Sequence, residues 1–453
     1  MEEKEIIEMT NEENNDSVIS EAQEHNSHHH SHHHSHHHHH HSSRHHRSHS
    51  NSSGKKGKFK KFVRKNKKKL INAAVALILV AALIVIGAVV DHNTNNDDKK
   101  DKNANAGDGG GIVIRVPFLS EEVSIIGEAA RKFVDNYPDI EVADVYQKTE
   151  EQTRADFGLP VTIPYSIEGI PDGYHIEKIS VYVSENKDFS DARLINPKNV
   201  KEDSVKIYHL KTGTKYYFRI TAEITGDMYA GAEGSFKTAA GPRILSVDSV
   251  GNMRDIGGYN TSFGLKVKQG LLYRGCEIDG AVEPSYAASE KGISDMLKIL
   301  GIKTDMDLRT QDEVHGVADP LGVGVNHIIY GAPMYLQIYE EQNKETVRKI
   351  FSDLAKRENY PVYMHCTYGM DRTGTVCFLL GALLGVDEQD LMMDYELSGL
   401  YHSELWSTKD MGMLINRLKM QAGNNLCEKV ENYLLSIGVT PLEIQSIRDI
   451  FLA

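Results

Sequence analysis

The tightest constraint on this 453-residue chain is the stretch from Val362 to Gly374. The apolar run Val362-Tyr363-Met364 ends in His365-Cys366. Five residues follow, and Arg372-Thr373-Gly374 then opens a long apolar helical pattern. The pattern predicts a strand, a tight loop and a helix N-terminus. Loop N–H groups and the positive end of the helix dipole then converge on one point, which makes an anion site. Cys366 enters that site and Arg372 leaves it. A helix N-terminus and a nearby guanidinium both favour thiolate over thiol. The planar fork of Arg372 suits phosphate oxygens. A thiolate facing a cradled phosphate is arranged for covalent phosphoryl transfer to sulfur.

The rest of the chain is strongly segmented. Residues 1–69 begin acidic and become histidine-rich, with 16 of the 23 histidines between His25 and His49. No apolar period runs through them, so a disordered tail is expected, solvated or able to bind metal through clustered imidazoles. Ten Lys/Arg between Lys55 and Lys69 precede the apolar run Leu70–Val90. Twenty-one residues at ~1.5 Å each span roughly 31 Å, enough for a bilayer core. A transmembrane helix at 70–90 is therefore expected. A soluble helix would carry a polar face, and a signal peptide would have a far shorter leader. The basic cluster before the run places the N-terminus in the cytoplasm and the following domains outside, in a single-pass cell-membrane topology. The same cluster can rest on anionic headgroups. A net charge of −13 argues against a nucleic-acid partner. The four cysteines, Cys276, Cys366, Cys377 and Cys427, show neither disulfide-framework nor zinc spacing. No metal site and no cofactor are expected.

Residues 91–138 read as a flexible Asn/Asp/Lys/Gly tether followed by a short helix at 121–136, ended by Pro138. From Asp139 the period changes to two. Leu159–Ile167, Ile176–Ser184, Val205–Leu210 and Lys215–Ile224 read as alternating strands, which predicts an all-β sandwich over 139–241. Leu210-Lys-Thr-Gly-Thr-Lys-Tyr-Tyr-Phe-Arg-Ile-Thr-Ala222 resembles the penultimate strand of fibronectin type III domains, and Ser235-Phe-Lys-Thr238 their closing strand. Nothing in this region carries catalytic chemistry. It reads as a spacer or a binding module.

Residues 242–453 alternate short apolar runs with helical patterns, as α/β architecture does. Strands are expected around Ile302–Leu308, His327–Ile329 and Val362–Met364. Helices are expected at Arg372–Leu384, Asp387–Leu400, Asp410–Ala422, Leu426–Ile437 and Leu442–Phe451. The loop His365-Cys366-x-x-Gly369-x-Asp371-Arg372-Thr373-Gly374 resembles the signature of cysteine-dependent protein tyrosine phosphatases, in the bacterial form with Asp inside the loop. Asn252-Met-Arg254-Asp255-Ile-Gly-Gly258, Tyr273-Arg274-Gly275, Asp307-Leu308-Arg309 and Asp394-Tyr395-Glu396-Leu397-Ser398 resemble further motifs of that family, in the same order. The resemblance implies a tyrosine-phosphatase-like sheet flanked by helices.

It also implies roles. Cys366 attacks phosphorus, and the loop residues Thr367, Tyr368, Gly369 and Met370 cradle the phosphate together with Arg372, Thr373 and Gly374. The Thr373 hydroxyl would serve the sulfur, and His365 would orient the loop. A general acid is needed for poor leaving groups. The only tryptophan, Trp406, is not followed by Pro-Asp, so the mobile acid loop of other tyrosine phosphatases is not visible. Asp371 matches the acid of the bacterial branch, or it pairs structurally with a loop amide or with Arg254. Arg254 and Asp255 read either as an internal ion pair or as substrate contacts. Many relatives carry Lys where this chain has Met370, which favours a simple monoester over polyphosphorylated lipids. Cys276 raises the possibility of a reversible disulfide with Cys366.

The expected activity is hydrolysis of phosphate monoesters through a cysteinyl-phosphate, with phosphotyrosine on proteins as substrate. The alternatives are a phosphoinositide or another small phosphomonoester, and a non-catalytic surface binding protein on the same fold. Gly-Lys-[Ser/Thr] is absent, which excludes a nucleotide-binding loop.

Overall fold

The computed structural model describes residues 111–453 except 118, 121, 146–157, 317–318 and 402–406. The expected transmembrane run and the tail before it lie outside the described residues. Among the described residues, no helix is long and apolar enough to cross a membrane.

The first part of the described chain is mostly strand: β1 (Val113–Arg115), β2 (Glu122–Val123), β3 (Val161–Pro164), β4 (Ser166–Glu168), β5 (Ile176–Ser184), β6 (Arg193–Ile195), β7 (Ser204–Ile207), β8 (Lys215–Ile224) and β9 (Met228–Thr238). One sheet has the order β2-β9-β8-β5-β6, while β3 pairs with β7 and β1 with β4. The alternation in β8 works as the period-two pattern requires. Tyr216, Phe218, Ile220, Ala222 and Ile224 are buried, and the residues between them are not. They share one apolar core with Ile114, Val161, Ile163, Val181, Val205, Ile207 and Phe236. The expected strand Leu159–Ile167 divides in two. β3 pairs with β7 and β4 with β1, and the chain changes partner after Pro164, which has no N–H for a ladder.

The helix expected at 121–136 is shorter. It spans α1 (Glu128–Asn136) and is followed by α2 (Val142–Val145). Val123 instead pairs in parallel with the end of β9, opposite Thr238. Ala130 and Phe133 of α1, with Val142 and Val145 of α2, pack on Ile244, Met393, Leu397 and Leu400 of the C-terminal part. The stretch that carries β2, α1 and α2 is thereby fixed to both halves of one compact unit.

The C-terminal part holds β10 (Arg243–Ile244), β11 (Arg254–Asp255), β12 (Leu272–Gly275), β13 (Thr304–Asp307), β14 (Asn326–Ile329) and β15 (Val362–His365) in one sheet of order β10-β11-β12-β15-β13-β14. β12, β15, β13 and β14 are parallel, and β10 and β11 run antiparallel. Every residue of β12, β13 and β15 is buried, as expected of parallel strands covered on both faces. The helices are α3 (Glu290–Lys298), α4 (Glu341–Leu354), α5 (Asp371–Leu383), α6 (Glu388–Glu396), α7 (Lys409–Lys419), α8 (Leu426–Ser436) and α9 (Pro441–Phe451). α5 is buried from Thr373 to Leu383, so it is a core helix and not an amphipathic one. Cys377 is part of that core. The architecture carries the candidate loop from a central strand, β15, directly into this central helix.

Candidate active site

The loop Cys366–Met370 is held open by its carbonyls. Cys366 O accepts from His365 Nδ1 at 3.2 Å, and Thr367 O from the Glu277 amide at 3.0 Å. Tyr368 O accepts from Asn252 Nδ2 at 3.0 Å and from Cys276 Sγ at 3.3 Å, and Gly369 O from Arg274 Nη2 at 2.8 Å. Every one of these donors belongs to the scaffold around the loop. In a trans peptide the next N–H points the opposite way. The amides of residues 367–370 are thereby turned toward the loop's interior, where α5 also aims its N-terminus. Those of Thr367, Gly369 and Met370 make no hydrogen bond among the described residues. With its carbonyls tied down, the loop presents a set of N–H groups that could hold an anion.

Gly369 makes the fit possible. It sits at φ +66°, and a Cβ there would lie 2.3 Å from Gly275 O. The Tyr273-Arg274-Gly275 step is thus the wall against which the loop is folded.

Cys366 is 3% exposed at the base of the loop. Arg372 grips Glu313 with both Nη atoms, at 2.7 and 2.9 Å, and its Nη2 lies 3.5 Å from Thr367 Oγ1. Burial raises the Glu313 carboxyl, but Arg372 and the Thr310 amide outweigh it and hold it down to about 2. Two of the five guanidinium N–H groups are committed to Glu313 and a third reaches Thr367 Oγ1, which leaves two for an anion. The sequence reading missed Glu313. Thr310 and Glu313 exchange the reciprocal bonds of a capping box, but residues 311–316 form turns and not a helix. Lys cannot clamp Glu313 and phosphate together, so Arg372→Lys is expected to lower kcat/KM by about 10²- to 10³-fold, measured with p-nitrophenyl phosphate.

Asp371 begins α5 and accepts a hydrogen bond from the Tyr335 hydroxyl. Burial pushes its carboxyl up, partly countered by Tyr335 and Arg372. It does not pair with Arg254, which removes that alternative. Thr373, expected to serve the cysteine sulfur, makes no such bond, and its Oγ1 is buried without a partner among the described residues. Met370 is also buried, so it offers an anion its backbone amide and not its side chain. None of the four cysteines is joined in a disulfide.

Arg254 and Asp255 do not pair with each other. They are successive residues of a strand and face opposite ways. Arg254 binds Asp394 at 2.8 Å and Ser398 Oγ at 3.1 Å, and it also reaches Asn252. Asp255 binds Arg243 at 2.8 Å and accepts from the amides of Gly257 and Gly270. Asp394 also takes Arg274 at 2.6 Å, and Arg274 holds the Gly369 carbonyl. Arg254 is therefore a bracing residue one step removed from the loop.

Arg309 is fully buried among Asp307, Asp279 and Glu277. His365 stacks on Tyr363 and lies 3.0 Å from Asp305, an ion-pair contact without hydrogen-bond alignment. Burial lowers the His365 pKa, but Asp307 and Asp305 outweigh that and raise it to about 9. A folded-state pKa above the ordinary 6.5 stabilises fully below that value, and the stabilisation is lost as pH rises through about 9. The His365 ring should therefore remain doubly protonated at about pH 7.5 in a nitrogen-detected NMR titration. A neutral ring there would contradict this network.

Residues 245–453 match the model of the tyrosine phosphatase family. The matched stretch contains the whole loop and the residues that brace it, from Asn252 to Ser398. Similar proteins include an inferred tyrosine-protein phosphatase of Cupriavidus necator, 28% identical over 179 residues, covering 34% of this chain and 63% of that protein. A tyrosine-protein phosphatase of Nostoc commune is 25% identical over 203 residues, covering 34% of this chain and 67% of that protein. The chain thus spans less than two thirds of the first relative's length. Among solved structures, the core catalytic domain of the PP-IP phosphatase SIW14 from S. cerevisiae, in complex with citrate, matches at 13% identity and a TM-score of 0.21. That match covers 33% of this chain and 88% of that one.

Proposed function

We propose that this chain hydrolyses phosphate monoesters through a phosphocysteine on Cys366, with phosphotyrosine on proteins as the substrate class. The observation that carries the reading is the loop whose carbonyls at residues 366–369 are bonded to the surrounding scaffold around a buried cysteine. Its N–H groups and Arg372 would hold the three non-bridging oxygens while the Cys366 sulfur attacks in line. The S–P bond forms as the P–O bond to the leaving group breaks, and Asp371 supplies the proton to the departing oxygen. Water then attacks phosphorus, the S–P bond breaks, and Asp371 takes the proton from water. Cys366 is only 3% exposed, which favours a long aryl phosphate over the short arm of phosphoserine. Met370 adds no second cation for a polyphosphorylated headgroup.

The β-rich region 139–241 is proposed as a fibronectin type III-like sandwich acting as a spacer. Leu70–Val90 is proposed as a single membrane anchor with the catalytic domain outside the cytoplasm. Protease treatment of intact cells tests the topology, and a protected catalytic domain would reverse it. The activity is tested by vanadate-sensitive hydrolysis of p-nitrophenyl phosphate by the full chain. A comparison of phosphotyrosyl peptide, phosphoseryl peptide and phosphoinositide follows. Turnover led by the phosphotyrosyl peptide is expected. Absence of vanadate-sensitive turnover would sink the enzyme reading, and preference for the lipid would replace the substrate.

A further inference from the structure

Asp394 and Ser398 of the Asp-Tyr-Glu-Leu-Ser stretch are accounted for by the arginines they bind, but Tyr395 is not. Its hydroxyl lies 2.7 Å from the Tyr335 hydroxyl and donates to the Ser407 carbonyl at 3.0 Å. The Tyr335 hydroxyl donates in turn to Asp371 Oδ1. The two rings meet edge-on, with centroids 6.4 Å apart. Gly374 gives them room, since a Cβ there would lie 2.9 Å from the Tyr395 ring. Tyr335 is anchored on the other side, because its amide donates to Thr375 Oγ1 at 2.9 Å. It sits at φ +51°, a strained position for a bulky residue and one that its surroundings must hold. Both tyrosines are thus fixed against the first turn of α5.

We propose that Tyr335 and Tyr395 are positioning residues that hold Asp371 for proton transfer in both of its protonation states. The inference rests on the reading of Asp371 as the general acid. With Tyr335 donating to Oδ1, the transferable proton is left on Oδ2. In the first step that proton goes to the leaving oxygen as the S–P bond forms. In the second, the proton of the attacking water returns to Oδ2 as the S–P bond breaks. When Asp371 is ionised, the Tyr395 hydroxyl can turn from Ser407 O to Tyr335 O and strengthen the Tyr335 donor. Only hydroxyl hydrogens move, so the carboxyl keeps one geometry through the cycle.

The charged and titratable groups around Asp371 set the direction of the effect. Arg372 lies on its own helix, Tyr335 on the turn Tyr335–Tyr339, Tyr395 on α6 and Asp410 on α7. Burial and Asp410 raise Asp371, while Tyr335 and Arg372 lower it. Removing the Tyr335 hydroxyl therefore raises Asp371 further, and an acid with a higher pKa stays protonated to higher pH.

The test is the pH profile of kcat/KM for phenyl phosphate, whose leaving group needs an acid, with the full chain. Tyr335→Phe should move the basic limb up by about one pH unit. Tyr395→Phe should move it in the same direction by less. An unmoved limb in folded Tyr335→Phe overturns the proposal, as does an equal loss at every pH. If Tyr335→Phe does not fold, Tyr395→Phe decides, and an unmoved limb there overturns it. Asp371→Asn separates the two levels. It should abolish the limb and cut phenyl phosphate turnover more than that of p-nitrophenyl phosphate. Should Asp371→Asn behave so while the tyrosine variants leave the wild-type limb in place, the relay alone fails. Should Asp371→Asn keep phenyl phosphate turnover, the acid assignment itself fails.

Discussion

Cys366→Ser is expected to bring hydrolysis of p-nitrophenyl phosphate to background, a loss of about 10⁴-fold or more. The sulfur is the atom that bonds phosphorus, and a serine hydroxyl in its place is a far poorer nucleophile. The substitution is nearly isosteric at a buried position, so the fold should survive. Anion binding should survive too, because the cradle consists of backbone N–H groups and Arg372, none of which depends on sulfur. Inorganic phosphate should therefore still bind the variant in a calorimetric titration. Loss of both turnover and binding would mean that the loop had collapsed, and would not isolate the chemistry.

The largest effect on stability is expected at Asp394. This one carboxylate faces two guanidinium groups, Arg254 and Arg274, each about 1% exposed. Burial works against its ionised form, but the two arginines outweigh that and lower its pKa. Its contribution is thus present at neutral pH and is lost on acidification through its depressed folded-state pKa. Asp394→Ala leaves two buried cations without their carboxylate. Breaking a buried pair this way costs about 3–5 kcal/mol, which lowers Tm by on the order of 10 °C in a domain of this size. Activity should fall as well, because Arg274 also holds the Gly369 carbonyl outward. A Tm within a degree or two of wild type would show that the two arginines find other partners, and the bracing account would fail.

The parts of the site that are contiguous in sequence were readable from it. Cys366, Arg372 and Gly369 lie within one strand-loop-helix unit whose local geometry follows from residue type and spacing. Their partners were not readable. Glu313 lies 59 residues from Arg372, Asp394 lies 140 from Arg254, and Tyr335 lies 36 from Asp371. Such pairings are set by tertiary packing, and neither periodicity nor propensity encodes them. Arg254-Asp255 shows the difficulty. Adjacent opposite charges suggested an ion pair, but strand geometry turned them to opposite faces, toward Asp394 and Arg243. Among the elements, the strands Ile176–Ser184 and Lys215–Ile224 were placed at their true ends by alternation. Helix α4 was not named, although Val347, Ile350, Phe351 and Leu354 carry a helical period and form its buried face. Its many charged residues masked that stripe. Met370 was read by its chemistry alone, and its burial shows that position in the loop outweighed residue type.

The central claim is that Cys366 carries the phosphoryl group between the two steps. Acid-quenching the full chain during turnover of p-nitrophenyl phosphate, followed by peptide mapping under acidic conditions, tests it directly. The account predicts a phosphorylated peptide containing Cys366, absent from Cys366→Ser and accumulating in Asp371→Asn, where the second step lacks its base. Phosphate on another residue, or undiminished turnover in Cys366→Ser, would contradict it.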